Sequence, residues 1–308
     1  MRYLIVGAGA LGGYFGGRLL AAGQDVTFLL RPGRAKALAS TGLVVKSRFG
    51  DLALPPPPFV LADAIAASFD VVIVGCKAYD LAETMESFAP AVGPGTAILP
   101  LLNGMRHLDE LNSRFGAEHV LGGLCLISAT LDDSGAIRHL NDLHGLVFGE
   151  LDGAPSDRVE KILGDFSTAN FEARATSRIL QEMWEKWVFI AVAAGLTCLM
   201  RASIGNIVSA GGADLSLSLL DECCAIAAAN GFAPRAASID RIRSMVTDAG
   251  SPITASMLKD IERGAAVEAD HVVGDLLVRA KQDPGQLSLL RVAHVHLKAY
   301  EARRAGAG

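Results

Sequence analysis

The sequence predicts an α/β fold in which a doubly wound parallel sheet over residues 1–175 is followed by an all-helical domain over residues 176–308. Three observations predict it. Strand-like and helix-like runs alternate through the first half, which argues for a parallel sheet with helices on both faces. Strand signals nearly vanish after about Thr176, and helix formers dominate from there on. The chain also begins with strand, glycine turn, helix and strand in direct succession.

Arg2 to Val6 reads RYLIV, a short apolar run rich in β-formers. Gly7-Ala8-Gly9-Ala10-Leu11-Gly12 follows at once, then a helical stretch to Ala22 and a second strand from Asp25 to Leu30. Spacing and context match a dinucleotide fingerprint, so the first domain is expected to be Rossmann-type. Gly7 permits the tight turn, Gly9 lets backbone N–H groups approach a pyrophosphate, and Gly12 lets helix and strand pack closely. The phosphates would sit at a helix N-terminus, where unpaired N–H groups and the helix dipole favour negative charge. All six residues are therefore candidate cofactor contacts.

The end of the second strand bears on which dinucleotide. A site for NAD usually places Asp or Glu there, to accept hydrogen bonds from the ribose 2′-hydroxyl. Here the run is Leu29-Leu30-Arg31-Pro32-Gly33-Arg34, with no carboxylate and two guanidinium groups within four residues. A planar guanidinium suits a 2′-phosphate, so the expected cofactor is NADP(H), with Arg31 and Arg34 as the guanidinium groups at hand. The alternative is that Arg31 and Arg34 only cap and solvate a turn.

Leu43 to Leu54 reads as a hairpin turning near Gly50-Asp51, and Pro55 to Pro58 as a stiff polyproline spacer. Asp70 to Gly75 is a buried-strand run, with a helix expected from Ala78 to Ala89. Thr96 to Leu102 is another strand, Asn103-Gly104 turns out of it, and His119 to Ser128 contains a further strand. Ile137 to Glu150 reads as a short antiparallel addition to the same sheet. Ligands of such sheets bind outside the strands' carboxyl ends, which carry Gly7, Arg31, Lys77 and Asn103. In the second half, helices are expected at Ser177–Arg201, Asp214–Asn230, Ile253–Arg263, Glu268–Gln282 and Leu287–Arg304, with Asp283-Pro284-Gly285 as punctuation.

Composition excludes several classes. The 308 residues are 51% hydrophobic and 20% charged, with net charge −5 and no basic block, so nucleic acid is not an expected partner. The five cysteines, Cys76, Cys125, Cys198, Cys223 and Cys224, form no C-x-x-C and suggest neither a disulfide framework nor a zinc site. The histidines show no ligand spacing, and no metal is expected. The longest apolar run, Trp187 to Met200, falls short of the roughly twenty residues of a membrane span and reads as a buried core helix. Residue 1 leads directly into a strand, so no secretion signal and a cytoplasmic location are expected. The helical domain has enough apolar surface for a homodimer interface, and oligomeric state stays open.

Reduction of a carbonyl by hydride needs a proton donor for the nascent alkoxide and groups that hold the substrate. Lys186 is the best donor candidate, in Trp184-Glu185-Lys186-Trp187 at the start of a highly apolar helix. Partial desolvation there would lower an ammonium's pKa toward a range useful for general acid work. The alternative is a lysine that snorkels to solvent from a helix edge.

Five segments together resemble the ketopantoate reductase (2-dehydropantoate 2-reductase) family over essentially the whole chain. They are the glycine turn with Arg31; Gly75-Cys76-Lys77-Ala78-Tyr79-Asp80; Leu102-Asn103-Gly104-Met105; Glu185-Lys186; and Thr254 to Asp260 with Glu268. The resemblance implies that Lys77 and Asn103 border the nicotinamide half of the cofactor and that Asn103 also reaches the substrate. It implies that Lys186 protonates the carbonyl oxygen and that Ser256 binds the substrate carboxylate. Glu268 would hold cofactor ribose and help orient Lys186. The substrate would be a small keto acid, by resemblance 2-dehydropantoate, held between the domains and reduced to pantoate for pantothenate biosynthesis.

One departure stands out. The family carries asparagines four and eight residues after the lysine, and here those positions are Ile190 and Ala194. A less polar keto acid is therefore an alternative substrate, with Thr197 and Ser203 as candidate replacements for the missing polar groups. A 3-hydroxy acid dehydrogenase and a non-catalytic NADP(H) sensor are the competing functions.

Overall fold

The computed structural model describes residues 1–280 and 288–306. The chain divides into two units, one of Met1–Leu102 with His107–Ile179, the other of Asn103–Arg106 with Leu180–Gly308.

The first unit opens with β1 (Arg2–Val6), α1 (Ala10–Ala21), β2 (Asp25–Leu29) and α2 (Pro32–Thr41). The hairpin of β3 (Leu43–Lys46) and β4 (Leu52–Leu54) follows, in the register Leu43 opposite Leu54. Next come β5 (Phe59–Val60), β6 (Val71–Val74), α3 (Leu81–Phe88) and β7 (Ala97–Pro100). Five strands form a parallel sheet in the order β5-β2-β1-β6-β7. Val71 to Val74 is buried throughout, as a strand covered on both faces must be, which is why the sequence there is continuously apolar rather than alternating. Tyr3, Ile5, Phe15 and Phe28 join Phe148 and Phe166 in a single buried cluster. The proline run delivers β5 to the sheet edge, where Pro58 O accepts from Phe28 N at 2.9 Å; a residue lacking an N–H is tolerated at such an edge. The helix expected from Ala78 is two elements, a 3₁₀ turn at Ala78–Asp80 and then α3.

The rest of this unit is α4 (Arg106–Phe115), β8 (Leu121–Leu126), β9 (Ala129–Leu131), β10 (Ile137–His139), β11 (Gly145–Glu150), α5 (Asp157–Phe166) and β12 (Glu172–Ala175). Here the expectation of one antiparallel addition is corrected. β10 pairs with β3 and β9, whereas β11 pairs antiparallel with β8 and parallel with β12, so Ile137–Glu150 serves two different sheets. Alternation of side chains tells which face is buried, but not which distant strand supplies the hydrogen-bonding ladder.

The second unit contains α6 (Ile179–Met200), α7 (Ile204–Ser209), α8 (Ala213–Ala229), α9 (Ala236–Thr247) and α10 (Ser256–Glu262). A π turn at Asp270–Gly274, α11 (Asp275–Val278) and α12 (Leu289–Gly306) complete it. The single helix expected from Glu268 is thus a π turn plus one short helix, while Gln282, Asp283-Pro284-Gly285 and Leu287 lie outside the described residues. By length and composition α6 could cross a membrane, but 72% of its apolar window is buried inside the protein. Trp184 and Trp187 lead that burial, with ring centroids 4.9 Å apart.

Candidate active site

Gly7, Arg31 and Lys77 follow three strands that are neighbours in the sheet. Val6 lies level with Leu29 on one side and with Val74 on the other, so the carboxyl ends of β2, β1 and β6 form one rim. Gly7 turns the chain at φ +86°, and Gly12 is required by close approach: a Cβ there would stand 2.2 Å from Gly7 O. Gly9 caps α1 with no side-chain acceptor and no acidic residue in the first turn, so the first N–H groups of α1, around Ala10 and Leu11, lack an intrahelical partner. Ala8 is buried beneath them. Nothing lies within 4 Å of a Cβ built on Gly7 or Gly9. This cradle fits a dinucleotide pyrophosphate, in backbone approach and in charge.

The two arginines at the rim differ. Arg34 is half-buried and donates from Nε to Ala8 O at 3.0 Å and from Nη2 to Gly135 O at 3.2 Å, fastening the glycine turn from below. Arg31 is the N-cap of α2 with an exposed side chain. The tertiary structure supplies what the end of β2 lacks, because Arg31 Nη2 lies 3.1 Å from Glu83 Oε2 and 3.6 Å from Asp80 Oδ1. The end of β2 itself carries no carboxylate, as the sequence indicates; the two that reach Arg31 come from the segment after β6. Lys77 is half-buried and caps the 3₁₀ turn, its carbonyl accepting from Asp80 N at 3.0 Å.

Asn103, Lys186, Ser256 and Glu268 all belong to the second unit. Three contacts bind their segments together. Gly104, at φ +78°, lets the Asn103 turn press on the π turn, where a Cβ would meet His271 O at 3.1 Å. Trp187, beside Lys186, donates from Nε1 to Val272 O at 2.8 Å, holding α6 to the π turn that follows Glu268. Ala255 N donates to Thr197 Oγ1 at 3.2 Å, fixing the start of α10 and hence Ser256 against α6. Lys186 and Glu268 are half-buried and Ser256 is exposed.

The polar replacements considered for Ile190 and Ala194 are otherwise engaged. Thr197 is fully buried, its hydroxyl donating to Ala193 O at 2.7 Å while accepting from Ala255 N. Ser203 caps α7, its Oγ accepting from Asn206 N at 3.3 Å. Ala194 is wholly buried on the Lys186 face of α6.

Sequence reasoning also passed over Glu185. Its nearly buried carboxylate accepts from Arg235 N, Nε and Nη2 at 2.9, 2.8 and 2.7 Å, and from Gln181 Nε2 at 3.1 Å. Burial pushes this carboxyl up, but the hydrogen bonds from Arg235 and Gln181 outweigh it and hold it below the ordinary range. The arrangement anchors the first turns of α6 next to Lys186. The available signal was one acid set directly between a tryptophan and the lysine.

Residues 3–153 match the family model described as Ketopantoate reductase PanE/ApbA, and residues 178–301 match Ketopantoate reductase PanE/ApbA C terminal. The chain is similar to the uncharacterized oxidoreductase YkpB of Bacillus subtilis (strain 168), at 36% identity over 99% of this chain and 100% of that one. Its structure is similar to that of 2-dehydropantoate 2-reductase from Geobacter metallireducens GS-15, with TM-score 0.87 and 29% identity over 97% and 99% of the two chains. The same fold occurs in the ternary structure of D-mandelate dehydrogenase with NADH and anilino(oxo)acetate, with TM-score 0.87 and 19% identity over 99% and 100%.

Proposed function

The chain belongs to the ketopantoate reductase family, and from that premise we propose that it reduces a 2-keto acid to the 2-hydroxy acid with NADPH, with 2-dehydropantoate as the first candidate substrate. It is an oxidoreductase acting on CH–OH groups. The observation that carries the proposal is that three contacts, at Gly104, Trp187 and Thr197, join the segments that carry Asn103, Lys186, Ser256 and Glu268 into one helical frame.

When bound, a reduced nicotinamide supplies the hydride. The backbone N–H groups at the start of α1 hold the pyrophosphate, and Arg31 and Lys77 serve the phosphate and nicotinamide halves. Lys186 Nζ donates a proton to the substrate's carbonyl oxygen, and the Asn103 side-chain amide donates a hydrogen bond to the same developing charge. The Ser256 hydroxyl donates to the substrate carboxylate. The Glu268 carboxylate accepts from ribose hydroxyls and steadies the Lys186 ammonium.

A panel of 2-keto acids, read by NADPH oxidation, tests this. Turnover of at least one is expected, and saturable NADPH binding with no turnover across the panel would favour a sensor. Lys186→Ala is expected to lower kcat by about two orders of magnitude or more and to leave NADPH affinity nearly unchanged. Weakened NADPH binding with unchanged turnover would refute the assigned role.

A less polar keto acid is the second reading. Ile190 and Ala194 offer no hydrogen bond, and the hydroxyls of Thr197 and Ser203 are committed elsewhere. A site without such partners discriminates poorly in favour of a substrate hydroxyl. On this reading 2-dehydropantoate and its deoxy analogue react with similar kcat/KM, whereas a preference of about a hundredfold for 2-dehydropantoate would reject it.

A further inference from the structure

The Arg31–Asp80–Glu83 trio is unexplained by the binding of a 2′-phosphate alone. Arg31 stands two residues beyond β2, where the adenosine ribose of a bound dinucleotide lies. Asp80 ends the 3₁₀ turn after Lys77, and Glu83 is in the first turn of α3. Both carboxylates approach the same guanidinium nitrogen, Nη2. Arg34 cannot take the place of Arg31 without releasing Ala8 O and Gly135 O, the contacts that fasten the glycine turn.

We infer that Asp80 and Glu83 set the cofactor preference of this site: by counter-charging Arg31 they hold down the preference for a 2′-phosphorylated dinucleotide over its 2′-hydroxyl counterpart. The inference rests on the dinucleotide reading proposed above. A 2′-phosphate brings close to two negative charges beside two carboxylates, and it competes with them for one guanidinium. A 2′-hydroxyl is neutral and can donate to a carboxylate, so the same two side chains oppose one cofactor and favour the other. Neutralising both would leave Arg31 as an unopposed phosphate ligand. Asp80 has 33% side-chain exposure against 77% for Glu83, so its charge is less screened and its removal has the larger effect.

The opposite arrangement, in which the carboxylates preorganise Arg31 for phosphate, predicts the opposite sign. The experiment is calorimetric titration of the full chain with adenosine 2′,5′-bisphosphate and with 5′-AMP, two probes that carry no nicotinamide. The variants are Asp80→Asn, Glu83→Gln, the double variant and Arg31→Ala. Each single neutralisation is expected to raise the ratio of bisphosphate to AMP affinity by about two- to fivefold, and the pair by about tenfold, with the gain shrinking at high salt. Arg31→Ala should bring the ratio close to unity. An unchanged or lowered ratio in the double variant overturns the inference while leaving the dinucleotide reading intact. A wild-type chain that binds neither probe removes that reading, and the inference with it.

Discussion

Thr197 shows how one hydroxyl can serve fold and site together. It is fully buried, it closes a bond to Ala193 O, and it accepts the N–H of Ala255, the residue before Ser256. Thr197→Val keeps the shape but leaves that N–H without its acceptor, at a cost of about 1–3 kcal/mol in urea unfolding. If Thr197 positions Ser256, KM for the keto acid rises severalfold while kcat and NADPH affinity stay put. A stability loss with an unmoved KM would leave Thr197 structural only. Arg34 was legible as a guanidinium near the second strand, yet its fastening of Ala8 O and Gly135 O was not, because Gly135 lies 101 residues away in the chain.

The β1–turn–α1 element is tightest at Gly12. Gly7 and Ile5 leave no space for a methyl on Gly12, 2.2 Å from a backbone oxygen that cannot swing aside as a side-chain end could. Gly12→Ala must push α1 off β1 or distort the Gly7 turn, and binding of a reduced dinucleotide, followed by titration, should fall more than tenfold. Retained affinity would show that this turn is not the phosphate cradle. This element was also the most legible in the sequence, since its glycines, strands and helix are local in the chain. The Ile137–Glu150 region was the least legible, because its partners β3, β8 and β12 come from distant segments.

Across the whole molecule, several groups titrate with one sign. Burial, with the nearby Arg18 and His139, depresses His144 below its ordinary 6.5, and burial with Arg201 and Arg303 does the same to His296. The Glu150, Glu185 and Asp270 carboxyls are each pushed up by burial but drawn lower overall by hydrogen bonds, from Arg158 and Ser156, from Arg235 and Gln181, and from Lys298 and His294. For all five groups the unfolded chain binds protons more readily than the folded one, so stability rises with pH. Stability should be level near neutrality, begin to fall as pH drops below about 6.5 where the histidines charge, and fall more steeply below about 4.5 as the carboxylates lose their partners. Urea midpoints measured from pH 8 to 3.5 check this, and a flat profile between pH 7 and 5 would contradict the histidine limb. In Glu185→Gln the steep acid limb should be shallower, with the difference from wild type, about 1–2 kcal/mol at pH 7, vanishing at low pH.

The sequence by itself determined the two-part α/β and helical plan and the tight glycine turn between β1 and α1. Those depend on local periodicity, turn chemistry and spacing, which are properties of neighbours along the chain. Only the tertiary structure decided that Asp80 and Glu83 face Arg31, that Thr197 and Ser203 are committed elsewhere, and that Trp187 and Gly104 seat the π turn. Each of these is a contact across dozens of residues, or a hydroxyl claimed by the nearest backbone. Spacing records neither, because such pairings are selected by packing in three dimensions and leave no period in the sequence.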